Sequence, residues 1–141
     1  MLEMFEALHA AHQKCDLLIA NATHLTARQF TVLRAIAAHP RLTQKELVAL
    51  TGIDRSTASN IVTRLAHQGL VLRPKSVKGA RARTLELTTE GKETLRAALG
   101  GIKRLAVRLQ KKGSFDSAAL SEGLNVLADV DAERMRDKGG K

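Results

Sequence analysis

A chain of 141 residues is long enough for one domain with a real core and too short for two large ones; its single cysteine excludes an internal disulfide. With 44% apolar residues, three Phe and neither Tyr nor Trp, the core must be built of Leu, Ile, Val and Ala, which suits helices. The net charge of +9 favours a polyanionic partner, nucleic acid first and a membrane surface second.

Met1–His12 carries acids and histidines where a secretory signal needs an apolar run, and no stretch approaches membrane-spanning length, so no membrane role and a cytoplasmic, reducing compartment are expected. The charge is uneven. Residues 1–20 set Lys14 against Glu3, Glu6 and Asp16. Residues 54–90 set Arg55, Arg64, Arg73, Lys75, Lys78, Arg81 and Arg83 against Asp54, Glu86 and Glu90. A second basic cluster is Lys103, Arg104, Arg108, Lys111 and Lys112.

Residues 2–20 predict a first helix. Leu2, Phe5, Leu8, His12, Cys15, Leu18 and Ile19 follow three-and-four spacing, and Asn21–His24 breaks it. Thr26 caps a second helix with Phe30, Leu33, Ile36 and Ala37 inward, and Pro40 ends it because proline disfavours helix in the residue before it. Leu42 is a short extended link. Thr43 then caps a helix to about Leu50, Gly52 supplies the bend, and Asp54 caps the next helix with a carboxylate at the positive end of its dipole.

In that helix Ala58, Ile61, Val62 and Leu65 make one buried stripe. Arg55, Ser56, Thr57, Ser59, Asn60, Thr63 and Arg64 occupy the remaining surface, and Arg55–Leu65 contains no acid. The same spacing would serve an ordinary hairpin of helices with a solvated outer face. The acid-free, donor-rich outer face favours a helix that reads the DNA major groove.

After Gly69 the pattern changes. Leu70–Lys75 is short and β-like, Ser76–Ala82 is a basic loop, and Arg83–Thr88 alternates with Leu85 and Leu87 on one face. Two strands and a basic loop after a reading helix make a wing that lays Lys78, Arg81 or Arg83 along phosphates or into a minor groove. Thr88 or Thr89 caps a long helix to about Lys112, with Leu95, Leu99, Ile102, Leu105 or Ala106, and Leu109 as its stripe and a kink at Gly100–Gly101. Asp116 or Ser117 caps a last helix striped by Leu120, Leu124, Leu127 and Val130, and the tail frays.

The expected fold is mainly α with a small β-hairpin wing. It comprises an N-terminal dimerisation helix (1–24), a winged helix-turn-helix (25–90) and C-terminal dimerisation helices (91–138). The terminal stripes would leave a large apolar patch on a single chain, so a two-fold homodimer over a pseudo-palindromic site is expected. Its half-sites would lie roughly 10 bp apart.

The stretch LTARQFTVLRAIAAHPRLTQKELVALTGIDRSTASNIVTRLAHQGLVLR, followed by RARTLELTTEG, resembles the MarR family of bacterial transcriptional regulators. The resemblance covers about Leu25 to Gly91 in detail; the flanking helices match in order and length. It implies a homodimeric repressor of double-stranded DNA that a small ligand releases, often an aromatic carboxylate or its thioester. By position it implies base or phosphate contacts for Arg55, Ser56, Thr57, Ser59, Asn60 and Thr63, and backbone contacts for Thr43 and Gln44. Arg64, Arg73, Lys75, Lys78 and Arg83 complete the basic surface. Arg81 matches the arginine of the family's Asp-x-Arg wing motif, but Gly79 stands where the aspartate is expected.

His12 and Arg28 are the candidates to meet an anionic effector, in a cleft between the first, second and fifth helices. The Lys103–Lys112 cluster is either a solvated face or a site for the phosphates of a thioester ligand. Cys15 lies about where the family's peroxide sensors carry their reactive thiol, yet the tyrosine such sites use is missing, and a packed, inert cysteine is the commoner case. His9, His12, Cys15 and Asp16 are metal-ligand types on nearby turns, which leaves room for a cysteine- or metal-responsive regulator. No cofactor is implied, and no nucleophile elbow, phosphate loop or paired catalytic carboxylate points to an enzyme. The sequence is also compatible with a packaging or RNA-binding protein without sequence preference, and with an interaction module that has no DNA role.

Overall fold

Short polar side chains start the helices. The computed structural model describes residues 1–73, 84–113 and 116–125. In it α1 spans Leu2–Thr23, α2 Ala27–Ala38, α3 Gln44–Thr51, α4 Arg55–His67 and α5 Thr89–Lys112. Thr26 and Gln29 form a capping box at 3.0 and 3.1 Å, and Thr43 and Glu46 form another at 2.8 and 3.2 Å. Each box satisfies two backbone donors that a helix start otherwise leaves unpaired. α3 closes on Gly52 at φ +66°, a left-handed conformation open to glycine at no steric cost.

α1 continues past the expected break. The Thr23 hydroxyl donates to Ile19 O at 2.7 Å and accepts from Leu25 N at 3.1 Å, so Thr23 stays in the helix, and His24 ends it at φ 59°.

The strands β1 (Leu42–Thr43), β2 (Val71–Leu72) and β3 (Thr84–Leu87) pair antiparallel in the order β1-β3-β2. Leu42 faces Leu85 and Thr43 faces Thr84, while Val71 faces Leu87. The expected link at Leu42 is therefore a strand. Its amides are satisfied locally, Leu42 N by His39 O at 3.3 Å and Thr43 N by Glu46 Oε2 at 2.8 Å, as buried backbone must be.

The core joins Val32, Leu33 and Ile36 of α2, Leu47 of α3, Val62 and Leu65 of α4, and Leu42, Leu70, Val71, Leu85 and Leu95. Leu33, Leu47 and Leu65 have no exposed surface, and each such side chain contributes roughly 1.5–3 kcal/mol by leaving water. The buried arc of α2 centres on Ile36. This brings in Val32 and puts Phe30 and Ala37 on the flank, roughly 100° away, where Phe30 is half-buried and Ala37, expected inward, is exposed.

α5 runs unbroken through Gly100–Gly101, where the sequence predicts a kink. Gly91, Leu95, Ala98 and Gly101 form its buried stripe, leaving Leu99 exposed. Gly101 is there for close approach: a Cβ on it would lie 2.0 Å from the carbonyl oxygen of Ala22 in α1. Gly91 meets Leu70 O in the same way. Beside it Thr88 fastens two helix ends, donating from its hydroxyl to Gly69 O at 2.6 Å and accepting from Gly91 N at 2.9 Å.

The chain forms two compact units, Met1–Leu105 and Ala106–Lys141. In the second, Asp116 accepts from Ala118 N and Ala119 N at 2.9 and 3.1 Å and starts α6 (117–125). Leu120 and Leu124 of α6 are exposed. Leu127 and Val130 lie outside the described residues.

Candidate nucleic-acid interface

α4 presents the expected face. Arg55, Ser56, Asn60 and Arg64 are exposed, Thr57, Ser59 and Thr63 are half-buried, and Ala58, Val62 and Leu65 are fully buried beneath them. Asp54 begins the helix. Its Oδ1 accepts from Thr57 N at 2.9 Å and from the Ser56 hydroxyl at 2.8 Å. Those bonds, Thr57 first, hold its carboxyl at a pKa of about 2. The acid is thus committed to the helix start, and the face beyond it keeps its positive character.

Several polar groups of this face bond within the protein. Thr43 donates its hydroxyl to Glu46 Oε2 at 2.8 Å, and the Thr43 backbone and hydroxyl together lower the Glu46 pKa. Thr63 donates to Ser59 O at 2.8 Å. Arg73, just after β2, donates from Nη1 to Thr63 Oγ1 at 3.0 Å and from Nη2 to Gln44 Oε1 at 3.2 Å. Thr43, Gln44, Lys45, Val48, Arg55 and Arg73 line an open groove of about 530 Å³. Sequence reasoning misses Lys45; its place in the first turn of α3, next to Gln44, is the available signal. Lys75, Lys78, Arg81 and Arg83, with Gly79, lie outside the described residues.

A second cleft, of about 660 Å³, brings His12, Asp16 and Leu17 of α1 together with Arg28 of α2 and with Thr51 and Ile53 at the turn before α4. The two effector candidates, distant in sequence, thus line one space. Its lining comes from α1, α2 and that turn rather than from α5 as expected, because α5 spends its buried stripe on close backbone contacts. His12 Nε2 lies 3.7 Å from Asp16 Oδ2.

Cys15 is exposed, not packed. Along α1, Leu2, Phe5 and Leu18 are exposed as well. His9 bonds Gln13 at 3.1 Å. Among the described residues no three His, Cys, Asp or Glu side chains converge to hold a metal ion, so His9, His12, Cys15 and Asp16 do not form a ligand set. No described helix is long and apolar enough to cross a membrane.

The family model for the MarR family matches residues 25–82. The transcriptional regulator HosA of Escherichia coli is 35% identical over 75 residues, which are 53% of this chain. The match spans only 56% of the length of HosA. Among solved structures, the transcriptional repressor CouR bound to a 23-mer DNA duplex is 27% identical, with a TM-score of 0.73 over 89% of each chain. The PcaV transcriptional regulator of Streptomyces coelicolor, in complex with its natural ligand, is 26% identical, with a TM-score of 0.70 over 89% of each chain. The caps, the three-stranded sheet, the polar face of α4 and these likenesses agree: residues 25–82 match the MarR family, and the chain is similar over most of its length to solved transcriptional regulators.

Proposed function

We propose that the protein is a homodimeric transcriptional repressor that binds a pseudo-palindromic operator and lets go when a small anionic ligand enters the His12–Arg28 cleft. The observation that carries this reading is the face of α4: an acid-free run of donors and small hydroxyls held outward on a fully buried stripe. Arg55, Ser56, Asn60 and Arg64 are its exposed reading groups, with Thr57, Ser59 and Thr63 beside them. Lys75, Lys78, Arg81 and Arg83 serve the phosphates and the minor groove in this reading. The DNA-bound likeness supports it.

A second copy is the natural cover for α1, whose Leu2, Phe5 and Leu17 are more than half exposed. For the ligand, Arg28 supplies positive charge, His12 a ring nitrogen for hydrogen bonding, and Leu17 and Ile53 apolar wall. That combination suits an aromatic carboxylate or its thioester. The likeness to a ligand-complexed regulator supports a small-molecule partner. The setting of such a repressor is the cytoplasm.

Fluorescence anisotropy tests the reading, with the purified protein, DNA from just upstream of its own coding region, and a scrambled duplex near physiological salt. The expected result is roughly a thousandfold preference for the first duplex. Equal, steeply salt-dependent binding to both would favour phosphate contacts alone and a packaging role. Lack of binding at low salt would leave an interaction module.

A further inference from the structure

Charge alone groups Arg73 with the phosphate-binding cations. Its geometry says something different. One face of its guanidinium fork is spent on two side chains from two helices, Gln44 of α3 and Thr63 of α4. These belong to the reading surface itself. A guanidinium only donates, so Gln44 must turn its carbonyl oxygen toward Arg73 and its NH₂ away. Thr63 accepts from Arg73 and gives its only proton to Ser59 O, so it has none left to donate.

We propose that Arg73 is a positioning residue that sets the hydrogen-bond polarity of the reading surface: Gln44 turns its NH₂ donors away from Arg73 and Thr63 offers no proton. This inference rests on the DNA-binding reading of α4. It assigns Gln44 to acceptors, either phosphate oxygens or the N7, O6 and O4 atoms of base edges. It removes Thr63 from the groups that donate to bases. It also fixes the start of α3 against the middle of α4 through the strand that leads into the wing.

Lysine separates the charge of Arg73 from its fork. Arg73→Lys keeps a cation for a phosphate but cannot hold Gln44 and Thr63 together in the same planar geometry. The test is anisotropy on full-length protein with a duplex selected by the wild type from a random pool, a scrambled duplex, and a salt series. Arg73→Lys is expected to weaken binding to the selected duplex about tenfold while leaving scrambled DNA and the salt slope unchanged. Thr63→Val, which removes the acceptor, is expected to weaken the selected duplex by a similar factor. The double variant is expected to be no worse than either alone, as for two ends of one link.

Full activity in Arg73→Lys, with a salt slope lowered by about one in Arg73→Ala, would make Arg73 a simple phosphate contact and overturn the proposal. Additive losses in the double variant would overturn it as well. If Arg73→Lys unfolds, Thr63→Val alone decides: a narrowed gap between selected and scrambled duplex supports the link, and an unchanged gap refutes it. A wild type that selects no duplex would overturn the DNA reading itself, an outcome distinct from the other failures.

Discussion

α1 and α4 are both amphipathic, and they meet opposite fates. α4 places Val62 and Leu65 in the core, and these two and Ala58 have no surface left in water. α1 buries Thr23 and leaves Leu2, Met4, Phe5 and Leu17 open. A stripe of apolar side chains states that a face is to be covered; it does not state by what. For α4 the cover is in the same chain. For α1 nothing among the described residues of its own unit covers these side chains, and a second copy is the proposed source.

The largest expected effect separates the two helices directly. Leu65→Ala should cost about 3 kcal/mol in chemical denaturation, through lost burial and the cavity left behind. Phe5→Ala should cost less than about 0.5 kcal/mol at the dilution where the protein is a single chain. As the concentration rises, its cost should grow if α1 is covered by a second copy. A cost for Phe5→Ala that does not change with concentration would remove the distinction.

A middle-sized effect belongs to the place where α1 does touch the rest of its unit. Gly101→Ala should destabilise the protein by roughly 1–3 kcal/mol, because the new methyl meets the backbone oxygen of Ala22 and neither helix can yield cheaply. Hydrogen exchange should then show faster opening at the C-terminal end of α1 than in α4. Gly100→Ala, whose nearest neighbour is the tip of Arg104, should be neutral or slightly stabilising.

The smallest effect concerns the start of α4. The Asp54 carboxyl is depressed from 3.8 to about 2, so its ionised form stabilises the fold. That stabilisation is complete above about pH 4 and is lost as the pH falls through about 2. The Thr57 amide resonance should follow this titration, and in Asp54→Asn, which still caps the helix, it should not move with pH.

How much is legible in the sequence follows the range of each interaction. Thr26, Thr43, Gly52 and Asp54 are readable because a cap acts within a few residues and needs a particular side chain or backbone angle. The polar face of α4 is readable for the same reason, since periodicity is local. The Leu42–Leu85 pairing is not, because a two-residue strand has no period and its partner is far along the chain. Gly101 reads as a kink because nothing near it in sequence reveals that Ala22 lies against it.

Within the site, charge marks Arg73 but not its engagement with Gln44 and Thr63, which depends on α3, α4 and β2 converging. His12 and Arg28 are residue types that suit an anion and can be picked out on that ground, whereas Thr51 and Ile53 carry no sign of their place beside them in the cleft.

Thr88 gives the reading helix a mechanical character. Its hydroxyl joins Gly69 O, two residues beyond the end of α4, to Gly91 N in the first turn of α5, and its amide donates to Leu70 O at 3.1 Å. The trailing end of α4 is therefore geared to α5 through backbone atoms, while its leading end hangs from the Thr51–Ile53 turn at the edge of the cleft. α4 does not roll on its own. A torque at either end is delivered along its whole length, and neither of these two end anchors lies on the reading face.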